Sequence, residues 1–201
     1  MAARRPDPVT LAGTFVRLEP IDVLHAQGLA AAASEDRHTY GFTTVPDDLD
    51  ATVAFVESAR QAGDQLAFAT IRTSDGRVVG STRFLTIQYW SAGSVFPESC
   101  EIGSTWLASS AQRSPVNTEA KLLMLTHAFE TWASVRVQLK TDARNERSRA
   151  AIERIGARFE GVLRNYQPAQ PGPGPRDTAM FSVTAAEWPD VKAGLQARLV
   201  L

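Results

Sequence analysis

The chain contains a single cysteine, Cys100, so no disulfide can form within it and no Cys/His metal framework is present. A sequence built without disulfides fits a reducing compartment. Its three histidines, His25, His38 and His127, lie far apart and make no metal-ligand spacing. No uninterrupted apolar run approaches the ~18 residues needed to cross a bilayer. Residues 1 to 8 carry Arg4 and Arg5 with no apolar stretch behind them, which reads as a flexible tail and not as a secretory leader. Charge of either sign is also not in excess: 21 Lys and Arg stand against 22 Asp and Glu, so no global field draws the chain to nucleic acid or membranes. These absences predict a cytoplasmic protein with no metal, no nucleic-acid partner and no membrane association. Any anion site must be local.

What is present suits one domain over residues 9–201, because 201 residues with 44% hydrophobic content can bury a large core. Alternation over residues 13–19 predicts a strand, Pro20 to Asp22 end it, and the alanine-rich stretch 23–33 predicts a helix. Residues 34–48 are polar with embedded aromatics and read as a loop. A helix over 49–62 places Val53, Phe55, Val56 and Ala59 at helical spacing. The β-rich runs 65–72 and 78–90 flank Asp75-Gly76, a hairpin signal.

The centre of the chain is an extended segment, 101–107, followed by a polar turn and a long apolar-periodic run over 115–132. Leu122, Leu125, Phe129 and Trp132 recur there at steps of three and four and predict a core face. Residues 135–141 form the next strand, parallel to 101–107 through a right-handed crossover. A short basic helix follows, with Gly156 as its left-handed cap, then strands at 158–167 and 177–184 around a Pro/Gly loop, and a last helix over 185–199. The order β-α-α-β-β-β-α-β-α-β-β-α implies an α/β fold. Its sheet is mixed, mostly antiparallel, with helices on both faces.

The turn after residue 107 carries the chemical interest. Ser114 is a good N-cap and Pro115 is tolerated at the first helical position. The first turn of such a helix presents unpaired N–H groups and the positive end of the dipole, a setting suited to phosphate.

The order of elements and the residues at its centre resemble the GCN5-related N-acetyltransferase family, in particular the branch that acetylates ribosomal-protein N-termini. The family's acetyl-coenzyme A motif is Gln or Arg, two residues, Gly, one residue, then Gly or Ala; here Gln112-Arg113-Ser114-Pro115-Val116-Asn117 fills it. Gln112 fits, whereas Pro115 and Asn117 stand where small residues are expected, and Pro115 removes one N–H donor. Glu101 occupies the central strand where several members carry a catalytic glutamate. Asn145-Glu146-Arg147-Ser148 is similar to the branch's Asn-x-x-Ser, and Ile155-Gly156-Ala157-Arg158-Phe159-Glu160-Gly161 to its Gly-Phe-x-x-Glu-Gly ending.

The resemblance implies a sheet splayed between the fourth and fifth predicted strands, with acetyl-coenzyme A in the gap. The backbone of Trp106, Leu107 and Ala108 would meet its pantetheine arm. N–H groups of Ser114, Val116, Asn117 and Thr118, with the charges of Arg113 and Lys121, would hold its pyrophosphate, and Asn145 and Ser148 would also contact it. Glu101 is the expected base and Ser148 the expected donor to the leaving thiolate. Tyr40 and Phe42, in the loop after the first helix, are expected to line the acceptor pocket, and Glu35 and Asp36 could attract a cationic amine. The acceptor would be a protein N-terminus or a small amine-bearing molecule, an antibiotic among them, and a homodimer is open. Two other readings stand beside this one: a non-catalytic acyl-coenzyme A module with a drifted phosphate loop, and an interaction domain without cofactor.

Overall fold

The computed structural model describes residues 6–91, 93–170 and 172–200. Among these, eight strands form one sheet in the order β1-β2-β3-β4-β5-β6-β8-β7. They are β1 (Leu11–Ala12), β2 (Val16–Pro20), β3 (Leu66–Arg72), β4 (Val78–Gln88), β5 (Ser99–Leu107), β6 (Arg136–Asp142), β7 (Arg158–Pro168) and β8 (Pro175–Thr184). The α-helices are α1 (Ala26–Ser34), α2 (Leu49–Gln61), α3 (Pro115–Thr126), α4 (Glu146–Arg154) and α5 (Trp188–Ala197). The predicted order is met, with the two-residue β1 as an addition. The expected fourth and fifth strands are therefore β5 and β6.

All neighbouring strands are antiparallel except β5 and β6, the pair joined through α3. Central β3 is apolar almost throughout and is buried along Leu66–Ile71, as a strand covered on both faces must be. The core gathers Leu18, Leu29, Phe68, Phe84, Met124, Leu125 and Phe181. Phe129 on the α3 side stacks on Trp188 of α5 with centroids 5.3 Å apart.

Helix α3 is shorter than its periodicity predicts. It gives way after Thr126 to a wider π-type turn over His127–Thr131. Leu125, Phe129 and Trp132 are buried as expected, but Leu122 is only partly so, and Val116, Ala120, Met124 and Ala128 complete the inward face. The helix also buries a carboxylate. Glu119 accepts the backbone N–H groups of Thr14, Phe15 and Val16 at 2.8, 2.6 and 2.8 Å, which ties the entry of β2 to α3.

Pairing between β5 and β6 covers only Ser99 to Glu101 against Arg136 to Gln138. A bulge on β5 lies just beyond that point. Ser81 faces Trp106 and Arg83 faces Gly103, so β5 spends two residues where β4 spends one, and Ser104 takes a left-handed φ of 47°. The bulge bends β5 and resets its alternation. Glu101, Gly103 and Trp106 consequently share the face of the sheet occupied by Ser81 and Arg83 on β4.

Candidate active site

Where β5 and β6 part, the gap widens into a cleft of about 560 Å³. Glu101 stands at its apex, only 1% exposed. Lys140 of β6 lies 2.9 Å from Glu101 Oε2, and Gln138 donates to the same oxygen at 3.1 Å. Oε1 takes no donor from these two and lies against Gly103, where an added Cβ would come within 2.8 Å of it. The carboxylate therefore has one tethered and one untethered oxygen. Cys100, one residue earlier, points to the opposite face, and burial together with the Glu101 charge pushes its thiol far up, which excludes it as a nucleophile.

One bank of the cleft is the bulged end of β5. The Leu107 carbonyl accepts from Tyr40 Oη at 3.2 Å and from Gln112 Nε2 at 2.9 Å. Tyr40, expected in the acceptor pocket, is buried with its ring edge against Trp106 and braces β5 from behind. Phe42 does line the cleft. Gln112 is committed to structure as well, since its amide also donates to Thr39 and accepts from Arg147. The polar turn then leads into α3 as predicted. Ser114 caps it, Pro115 opens it, and Arg113 is exposed with a φ of 57°. Pro115 has no N–H and Ser114 Oγ takes that of Val116 at 3.4 Å, so the N–H expected from Val116 for pyrophosphate already has a partner.

Farther along α3, Asn117 and Lys121 line the cleft one turn apart. Asn117 Oδ1 is buried without a partner, and so is Nε1 of Trp106, another residue of the cleft lining. Lys121, expected as a charge for pyrophosphate, is instead only 5% exposed, with Nζ on the hydroxyls of Thr105 (2.7 Å) and Thr82 (3.1 Å). Burial pushes its pKa down to about 7, so it is no fixed cation.

The other bank is β6 and the start of α4. Asn145 caps α4 through an Oδ1 bond to the Ser148 N–H at 3.0 Å, and both residues line the cleft. Ala151, Ile152 and Ile155 continue that wall. His127 lies away from it, packed by Phe84 and Trp132, and burial lowers its pKa. Glu35 is also turned aside. It accepts from Ser109, Ser110 and Arg77, and those bonds hold its pKa down against the opposing effect of burial.

Glu101, Trp106, Asn117, Asn145, Ser148 and Phe42 thus meet around one cleft, while Tyr40 and Gln112 support its walls. Arg83, Lys140 and Arg176 also line it and were not anticipated. Arg83 and Lys140 sit in alternating strand segments that gave no local sign of a site.

A family model for the GNAT acetyltransferase domain matches residues 16–158. The chain belongs to the GNAT acetyltransferases. It is 33% identical to a GCN5-related N-acetyltransferase from Brucella melitensis over 98% of this chain and 87% of the other, with a TM-score of 0.85. It is 34% identical to an acetyltransferase candidate from T. thermophilus, covering 96% and 98% of the two chains at a TM-score of 0.82. The Mycobacterium smegmatis RimJ structure, a complex with CoA-disulfide, shares the fold at 23% identity, 95% coverage of each chain and a TM-score of 0.79. No curated protein matches the chain.

GNAT membership makes the protein an acyltransferase and implies acetyl transfer from acetyl-coenzyme A. The cleft fits that donor. Its walls offer an unpartnered donor in Trp106 Nε1 and an unpartnered acceptor in Asn117 Oδ1, the complement that an amide-bearing pantetheine arm requires. Among the described residues no helix is long and apolar enough to cross a membrane, and no group of three or more His, Cys, Asp or Glu is placed to hold a metal.

Proposed function

We propose that the protein is an N-acetyltransferase that acts on a primary amine, either a protein N-terminus or a small amine-bearing molecule, in the cytoplasm. Bound acetyl-coenzyme A would supply the acetyl group already activated as a thioester. The N–H groups of Asn117 and Thr118, with exposed Arg113, would hold its phosphates, and Asn145 and Ser148 would meet it along α4.

The observation that carries the reading is the divided carboxylate at the apex. Lys140 and Gln138 fix Oε2, which leaves Glu101 Oε1 to accept a proton from the incoming amine, directly or through water. A lysine-like amine of pKa ~10.4 costs about 4.6 kcal/mol to deprotonate at pH 7, and an α-amine of pKa ~8 about 1.4 kcal/mol, so the base matters most for the former. Ser148, in the first turn of α4, would donate its hydroxyl to the departing thiolate.

Calorimetric titration with acetyl-coenzyme A and with dephospho-coenzyme A tests the cofactor half, and thiol release against an amine panel tests the rest. Micromolar binding with turnover is expected. Saturable binding without turnover on any amine would favour the non-catalytic acyl-coenzyme A module, for which Pro115 and Asn117 are the motivating departures. No binding at millimolar cofactor would leave an interaction domain.

A further inference from the structure

Resting on the acetyltransferase reading of the cleft, we infer that the acceptor amine carries an anionic group, a carboxylate or a phosphate, received by Arg83 and Arg176 from opposite banks. Arg83 is on β4, beside β5, and faces Gly103 two residues beyond Glu101 on the same face of the sheet. Arg176 opens β8, which borders β6 on the far side of the gap. Both line the cleft.

Arg83 is only 9% exposed. Its guanidinium lies over the Phe55 ring at 4.4 Å and donates to Gln65 Oε1 at 3.0 Å, but its Nε has no partner. Arg176 is half-buried, and its Nε is likewise unpartnered. Neither arginine has a carboxylate within ion-pair distance among the described residues. Burial depresses both pKa values; at Arg176 the charges of Asp142 and Glu101 offset part of that effect, and at Arg83 burial acts alone.

The acid that lines the cleft, Glu101, and the two other candidates, Asp142 and Glu35, already have partners. Glu101 is paired with Lys140, and Asp142 takes two bonds from Arg144 at 3.0 and 2.8 Å. Glu35, which the sequence offered as a lure for a cationic amine, is held by Ser109, Ser110 and Arg77. What remains is two guanidinium groups with no carboxylate in ion-pair contact among the described residues, an arrangement that disfavours a purely cationic acceptor. Guanidinium forks match carboxylate and phosphate oxygens, and a buried charge left alone is costly until a ligand supplies its opposite. The position of Arg83 beside the apex places the anion within reach of the same small molecule or terminal residue whose amine meets Glu101.

Matched amines decide the matter: amino acids against their amides, and 2-aminoethyl phosphate against 2-aminoethanol. Each is assayed by thiol release at saturating acetyl-coenzyme A and by thermal shift in the presence of coenzyme A. The wild type should prefer the anionic member by about tenfold or more in kcat/KM, and Arg83→Gln and Arg176→Gln should each cut the anionic member about tenfold more than the neutral one. Arg83→Lys, which keeps the charge and loses the fork, should fall between and serves if the Gln variant fails to fold. Carboxylate and phosphate are told apart by which pair shows the preference.

Equal use of both members, equal losses in the variants, or a KM for acetyl-coenzyme A that rises by the same factor would overturn the inference; the last would assign the arginines to the cofactor's own phosphates. Turnover of neutral amines alone would sink it and leave acetyl transfer standing. Saturable stabilisation by the anionic compounds, lost in Arg83→Gln but unaccompanied by turnover, would uphold it while acetyl transfer failed. Neither stabilisation nor turnover would overturn it.

Discussion

The Lys140 ammonium lies 2.9 Å from one oxygen of the Glu101 carboxylate and does not engage the other. Lys140 comes from β6 and Glu101 from β5, so the contact spans the last point at which the two strands are still together. The pair closes the sheet at the place where the cleft begins.

Replacing Glu101 with Gln removes the proposed proton acceptor but keeps the shape. Turnover should fall about a hundredfold for a lysine-like amine and distinctly less for an α-amine, with affinity for acetyl-coenzyme A nearly intact. Profiles of kcat against pH for the two acceptors check this; equal losses at every pH would remove Glu101 from the role of base.

Gly103 guards the untethered oxygen. Gly103→Ala sets a Cβ 2.8 Å from Oε1 and 3.0 Å from Leu85 Cδ1, so the carboxylate must rotate. A misplacement of that kind should cost about tenfold to a hundredfold in kcat. Steady-state kinetics beside a calorimetric titration of the cofactor would reveal the effect, and unchanged kcat would show that Oε1 does not need its present orientation.

Lys121 makes stability depend on pH. Its pKa falls from 10.5 to about 7 on folding, so between those values the unfolded chain holds a proton that the folded chain has lost. Stability conferred relative to Lys121→Met therefore rises with pH across that window, by about 1.4 kcal/mol per unit, and is flat below pH 7, where the burial penalty is complete. The Met variant should hold its largest advantage at pH 6 and lose most of it by pH 10. Urea midpoints at several pH values measure this, and parallel curves would mean that Lys121 stays charged in its pocket.

Glu119 is expected to be among the most sensitive positions for stability. Glu119→Ala strands the N–H groups of Thr14, Phe15 and Val16 and should cost about 3 to 5 kcal/mol. Glu119→Gln keeps one acceptor oxygen and should cost less. Denaturant unfolding separates the two, and a loss under 1 kcal/mol in the Ala variant would show that water replaces the carboxylate.

The elements legible in the sequence were those fixed by neighbours in the chain. Gly76, with φ 68°, turns the hairpin between β3 and β4, Ser114 and Pro115 start α3, and Gly156, with φ 96°, follows α4. The gathering of Glu101, Asn145 and Ser148 around one cleft was legible only through the family resemblance, because no local pattern distinguishes them from a strand residue, a helix cap and an exposed serine. Other features depend on partners far away in sequence. Tyr40 is buried because its hydroxyl reaches Leu107, 67 positions on, and Lys121 because Thr82 and Thr105 supply its hydrogen bonds. The two residues of β1 are too few to show a period. Arg83 is one polar residue in a strand, and its place is set by Phe55 and the cleft, both distant in sequence.

Past Glu101, the inner side of β5 is the edge of a sheet without a neighbouring strand. Edges of that kind normally face outward and recruit other chains, which proteins prevent with short strands, charges and bulges. Here the bulge at Ser104 creates the edge, and the surrounding β6 and α4 conceal it inside the molecule. A second polypeptide would have to bring side chains into that slot along with its backbone. A thin, unbranched chain with an amide every few atoms would bring no side chains and would still offer partners to the same backbone groups.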